Sequence, residues 1–128
     1  MLPPVAEAVE ALRKAFPDSV IDVKDDGSGG AYVIVESVTL GPKFAPEASW
    51  LGGHIPPQFP YADIYPVFMG ADVRFASGAP FVAPITANHM FCGRPALQIS
   101  RRTNRLEPTL QTAVCKFQKV LYWLTNQT

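Results

Sequence analysis

The sequence predicts an α+β fold: an N-terminal helix, a four-stranded antiparallel meander, a long loop rich in reactive side chains, and a C-terminal helix. Three observations carry this. Apolar residues near each end recur at helical spacing, and the region between them alternates with the two-residue period of strands. Most of the 13 prolines fall between Pro42 and Pro95, which restricts the middle of the chain to short strands and turned loops.

Pro3 and Pro4 suit a first helical turn, where a missing N–H costs nothing. Val5, Val9, Leu12 and Phe16 then form one stripe, with Arg13 and Lys14 near the end as the helix dipole prefers. Pro17 stops this helix. Ser19 to Lys24 reads as a short strand. Asp25-Asp26-Gly27-Ser28-Gly29-Gly30 is a turn, and Ala31 to Leu40 is a β-branched strand, so the pair forms a hairpin. The Gly-rich turn lacks the Lys-Ser/Thr and following helix of a phosphate loop. Gly41 to Ala48 reads as a loop and Ser49 to Ile55 as a third strand. Gln58 to Pro66 is an irregular aromatic and proline segment. Val67-Phe68-Met69 and Asp72 to Phe75 supply a further strand region. At the end, Pro108 to Asn126 is a helix whose Leu110, Ala113, Val114, Phe117, Val120, Leu121 and Leu124 share one face.

With 128 residues the chain is expected to be one domain, 1–128. Eleven basic and eleven acidic residues cancel, which removes any electrostatic case for a nucleic-acid or anionic-membrane partner. Apolar runs stop well short of the ~20 residues a membrane span needs. Met1-Leu2-Pro3-Pro4 has no signal-peptide character, so a cytoplasmic location is expected. Cys92 and Cys115 are then free thiols. One His89/Cys92 pair cannot supply a four-ligand metal site, and neither metal nor cofactor is expected.

Function is expected between Pro80 and Arg102. Two prolines open this stretch, and His89, Cys92, Gly93 and Arg94 follow within six residues. A strand-like run, Ala96 to Ser100, then leads to Arg101-Arg102. In this stretch Cys92 is the candidate nucleophile, with Arg94 favouring thiolate, Gly93 allowing close approach, and His89 orienting the thiol or an oxyanion. Against this stands a plainer reading of Cys92 as a small buried hydrophobe beside Phe91. Ser100 and Arg101 are a fallback hydroxyl and cation, or simply the solvated end of an edge strand. Cys115 falls on the Tyr122 side of the last helix, away from its apolar stripe.

The element order, with Phe59-Pro60-Tyr61 after the third strand and Asn88-His89 to Cys92 in the following loop, resembles the ubiquitin-conjugating (E2, or UBC) fold. The later pattern, Gly93-Arg94 through Ile99-Ser100-Arg101-Arg102 and Leu106-Glu107-Pro108, is similar to bacterial E2-like families encoded beside ubiquitin-like, E1-like and JAB-type protease genes. Here His89 is followed by Met90-Phe91 in place of the Pro-Asn of the E2 motif. The resemblance implies a UBC-like domain that accepts the C-terminal glycine of a ubiquitin-like protein from an E1-like activating enzyme. Cys92 would carry it as a thioester and pass it to an amine of a protein target, with His89 and Cys92 catalytic and Asn88, Gly93, Arg94, Ser100 and Arg101 in support. It further implies a bacterial conjugation pathway of the kind used in antiphage defence. The alternative it leaves open is a non-catalytic UBC- or RWD-like binding module that uses the Pro57–Tyr65 surface.

Overall fold

Two helices pack on one face of an antiparallel sheet, and local sequence explains where each element starts and stops. The computed structural model describes residues 1–102 and 112–126. Helix α1 (Pro3–Ala15) begins on its two prolines, buries Val5, Ala8, Val9 and Leu12, and ends on Arg13 and Lys14. Strands β1 (Ile21–Asp25) and β2 (Ala31–Thr39) form the expected hairpin. Its turn is held by Asp26 Oδ1, which accepts from the backbone N–H of Ser28 at 2.7 Å and of Gly30 at 2.9 Å.

After these come β3 (Phe44–Ala45), β4 (Ala48–Ile55), β5 (Val67–Gly70), β6 (Arg74–Phe75), β7 (Ile85–Phe91) and β8 (Arg94–Ile99). One six-stranded sheet runs in the order β1-β2-β4-β5-β8-β7, while β3 and β6 pair separately. The expected meander is therefore present as β1, β2, β4 and β5, but the expected count of four strands is too low. The stretch read as a long active-site loop is mostly a hairpin, β7–β8, that extends the sheet. Pro80 and Pro84 lie ahead of β7, which is an edge strand, where proline is tolerated. The segment read as loop at Gly41 to Ala48 contributes β3, and Arg74–Phe75 pairs with it and not with the main sheet.

Helix α2 spans Ala113–Thr125, and Thr112 caps it with Oγ1 accepting from Cys115 N–H at 2.9 Å. Thr112 itself is extended, so the helix starts later than the expected Pro108; residues 108–111 of that expectation lie outside the described residues. Ala113, Phe117, Val120 and Leu124 of α2 meet Val5, Val9 and Leu12 of α1 over Val33, Val35, Leu51, Val67, Met69 and Ile99 of the sheet. Lys116 is buried on this same face at 3% exposure. Its ammonium donates to Asp63 Oδ2 at 3.0 Å and to the Arg101 carbonyl at 2.7 Å, so the 56–66 segment and the end of β8 are tied to α2. Phe59 and Ile64 of that segment are buried, leaving Tyr61 at 75% exposure. Among the described residues, no helix is long and apolar enough to cross a membrane.

The opposite face of the sheet is not simply solvated. Alternation turns Tyr32 and Ile34 of β2, Trp50, Gly52 and His54 of β4 and Phe68 of β5 away from the helices. Phe91 lies over them in a second small apolar cluster with Ile34 and Ala96. Its ring stacks on Phe68 at 4.7 Å and approaches Trp50 and Tyr32 at 6.2 Å each. This requires Gly52, because a Cβ there would lie 2.7 Å from Phe91 Cε2. Gly52→Ala is expected to lower stability by about 1–3 kcal/mol, as overpacking does. Denaturant unfolding should show a reduced midpoint with an unchanged slope. In a Phe91→Leu background the same substitution should cost clearly less.

Candidate functional site

The β7–β8 hairpin does not stay in the plane of the sheet. Strand β8 pairs with β5 only from Ala96 to Ile99. Nearer the turn, the hairpin leans across the outer face towards β2 and β1. A bulge in β7 between Thr86 and His89 accompanies the bend, with Asn88 at φ 68°. One extra residue on one strand bends and twists it, and Asn tolerates the left-handed backbone better than most residues. Asn88 thus sits at the bend of the hairpin.

Cys92 and Gly93 form the two-residue turn between paired Phe91 and Arg94, at φ 50° and 77°. Both central residues of such a turn take positive φ, which favours Asn-Gly. Gly93 serves this backbone need, and a Cβ built on it meets nothing within 4 Å. Cys92 holds the other position at a local cost of about 1–2 kcal/mol. The flap anchored by Phe91 and Arg94 sustains it.

Arg94 is the polar anchor. Its Nη1 and Nη2 donate to Glu36 Oε1 at 3.0 Å and Oε2 at 2.6 Å, and Nη2 also reaches Asp22 Oδ2 at 3.3 Å. Its guanidinium stands 5.5 Å from the centre of the Trp50 ring. A second bulge, between Val35 and Val38 with Ser37 at φ 58°, sets Glu36 at the end of the regular pairing. The Arg94 hydrogen bonds hold Glu36 below the ordinary carboxylate range. Asp22 is pushed the other way, chiefly by its side-chain hydrogen bond to Glu36. Two carboxylates sharing one guanidinium cannot both be stabilised fully as anions.

Cys92 is exposed and, with Arg94, lines a pocket of about 190 Å³ whose other walls include Asp22, Lys24, Tyr32 and Ile34. Partial burial against that pocket pushes the thiol above its ordinary value, and the charges of Lys24 and Arg94 only partly oppose this. Arg94 therefore does favour thiolate, as expected, but desolvation outweighs it. The helices lie on the other face of the sheet, so α2 does not wall in the sulfur. His89 sits in β7 opposite Ala96, and its Nε2 is 2.9 Å from Thr86 Oγ1. Among the described residues no hydrogen bond joins His89 to Cys92.

The remaining candidates are elsewhere. Strand β8 is six residues long, roughly 20 Å, and Ser100 and Arg101 lie beyond its far end. Ser100 Oγ accepts from Gln98 Nε2 at 2.9 Å, and the Arg101 guanidinium packs 4.8 Å from the centre of Trp123. Cys115 lines a separate groove with Tyr122 on the outer side of α2. The hairpin therefore unites Cys92, Gly93, Arg94, His89 and Asn88, while Ser100 lies past the far end of β8 beside Gln98 and Arg101 packs on α2. Among the described residues no cluster of three His, Cys, Asp or Glu side chains is arranged to hold a metal ion. Comparison with protein-family models, curated proteins and solved structures gives no match to this chain.

Glu36, Asp22, Lys24 and Tyr32 belong to the site, and no motif in the sequence marks them. A carboxylate whose folded pKa is lowered contributes stability that is present above its unfolded pKa and is lost as pH falls through the lower folded value. Glu36→Gln should therefore cost about 1 kcal/mol at neutral pH. The difference from the parent should shrink as pH drops below 4.5, the ordinary glutamate value. Midpoints of denaturant unfolding across pH check this, and thiol-reagent kinetics at Cys92 should be faster in the variant at neutral pH.

Proposed function

We propose that this chain is an E2-like carrier, which takes the C-terminal glycine of a ubiquitin-like protein from an E1-like enzyme onto Cys92 and passes it to a target amine in the cytoplasm. The observation that supports this best is the position of the thiol. It stands exposed at the tip of a hairpin, beside a pocket and on the sheet face away from both helices. A narrow glycine tail can reach such a sulfur, and approximation of ester and amine then supplies most of the acceleration. The order of α1, the meander of β1, β2, β4 and β5, and α2 supports this reading.

A second reading, a non-catalytic UBC- or RWD-like binding module, is favoured by a different set of observations. The thiol is held up by burial, His89 is turned to Thr86, and Arg94 is engaged by two carboxylates. The 56–66 segment, pinned by the Lys116–Asp63 pair and by Arg102 stacked 4.0 Å from the Tyr65 ring centre, presents Tyr61 to solvent. A rigid loop with an exposed aromatic suits recognition without chemistry.

The test is to incubate the protein with the E1-like and ubiquitin-like proteins of the same genome and ATP. The carrier reading expects an adduct that reductant cleaves, lost in Cys92→Ala and retained in Cys115→Ala. Binding of the ubiquitin-like protein without any adduct, weakened about tenfold or more by Tyr61→Ala, would replace it with the module.

A further inference from the structure

We infer that the pocket under the hairpin tip is an S-to-N acyl-relay site, in which Cys92 takes an acyl group from an acyl thioester and hands it to Lys24. The inference stands on this pocket alone and does not need the carrier reading, because a small-molecule thioester can serve as donor.

Two nucleophiles from distant parts of the chain line one cavity of about 190 Å³. Cys92 reaches it from the flap. Lys24 reaches it from β1, where it pairs across from Tyr32, another wall of the same pocket. The two are close enough for the Lys24 charge to be one of the two that draw the Cys92 thiol downward. Among the described residues Lys24 makes no ion pair with an acidic side chain, and its four-carbon stem is free to swing. Lys43, by contrast, is bonded to the Thr125 carbonyl and Lys116 is buried on Asp63. Asp22 lies two positions before Lys24, on the same strand face, and lines the pocket too. It stands there as a polar group beside the amine, with Oδ2 3.3 Å from Arg94 Nη2.

In the first step the Cys92 thiolate attacks the thioester carbonyl. A carbon–sulfur bond to Cys92 forms, the bond to the donor sulfur breaks, and the donor thiolate takes up the proton Cys92 gave to solvent. In the second step neutral Lys24 Nζ attacks that same carbon. The amide bond forms, the bond to Cys92 breaks, and the surplus proton of the nitrogen returns to the thiolate through water. The net reaction converts a thioester and a lysine amine into an amide and a thiol, with no change of oxidation state. The relay gains over direct attack because the second step is intramolecular, with the acyl group already held beside the amine. Thioester exchange needs thiolate, so the raised thiol makes the first step faster as pH rises.

Acetyl-coenzyme A and the whole protein, in mildly alkaline buffer, provide the test, with peptide mass spectrometry following each lysine in time. Lys24 should acetylate about tenfold faster than the exposed Lys14 and Lys119. Cys92→Asn, a residue suited to the turn backbone, and Cys92→Ala should both bring Lys24 down to the rate of those controls. Lys24→Arg should leave a hydroxylamine-sensitive acetyl group on Cys92. Lys24 acetylation that is no faster than at the control lysines, or that is unchanged when Cys92 is replaced, would overturn the inference. So would acetyl-Cys92 that persists while Lys24 stays unmodified.

Discussion

The ring of Phe91 over the bare backbone of Gly52 is the contact on which the outer half of this molecule depends. A flap that leaves its own sheet and crosses three strands needs a place to land, and a side chain on Gly52 would remove it. Once the ring is seated, Trp50, Phe68 and Tyr32 surround it, and burial of apolar surface holds the hairpin down. The bulge in β7 supplies the bend, and the tight turn delivers Cys92 to β1. Remove the landing place, and the thiol, the arginine and the pocket lose their common geometry.

Electrostatics then refines what packing has placed. Phe91 and Arg94 are partners across the last register of the hairpin, so an apolar and an ionic anchor act side by side at the same end. The arginine meets Glu36 as a fork, a geometry that lysine cannot reproduce. Because the guanidinium is already shared by two carboxylates, little of its charge remains for the neighbouring sulfur. The site thus combines an accessible thiol with weak activation. Such a combination suits chemistry driven by proximity more than chemistry driven by an intrinsically reactive nucleophile.

Much of the helix side was legible in the sequence, because one apolar stripe per helix and strict strand alternation have few solutions. The flap was not, for two reasons. Cys-Gly does not look like the Asn-Gly that announces a two-residue hairpin turn, so the strand pair reads as a loop. And Tyr32, Ile34, Trp50 and Phe68 lie on three strands far apart in sequence, so that they share one face shows only once the strands are paired. A sheet side that is meant for solvent does not alternate into four large apolar residues, and that pattern is a sign of a second covering layer. Nothing in the sequence marks Lys116 as buried, because a lysine on a helix is normally solvated, and its partner Asp63 is remote in sequence. Ser100 and Arg101 looked like neighbours of Cys92 because they follow it closely, but an extended strand separates what a loop would have gathered.

The two tryptophans occupy opposite layers. Trp50 lies beneath the flap with Arg94 at its face, whereas Trp123 packs against the helix-side core with Arg101 over it. Each indole is an intrinsic optical probe of a single layer, and the sheet between them isolates one signal from the other. The molecule therefore carries its own means of distinguishing a hairpin that peels away first from a domain that melts as one unit. Fluorescence from single-tryptophan forms would coincide in the second case and separate in the first.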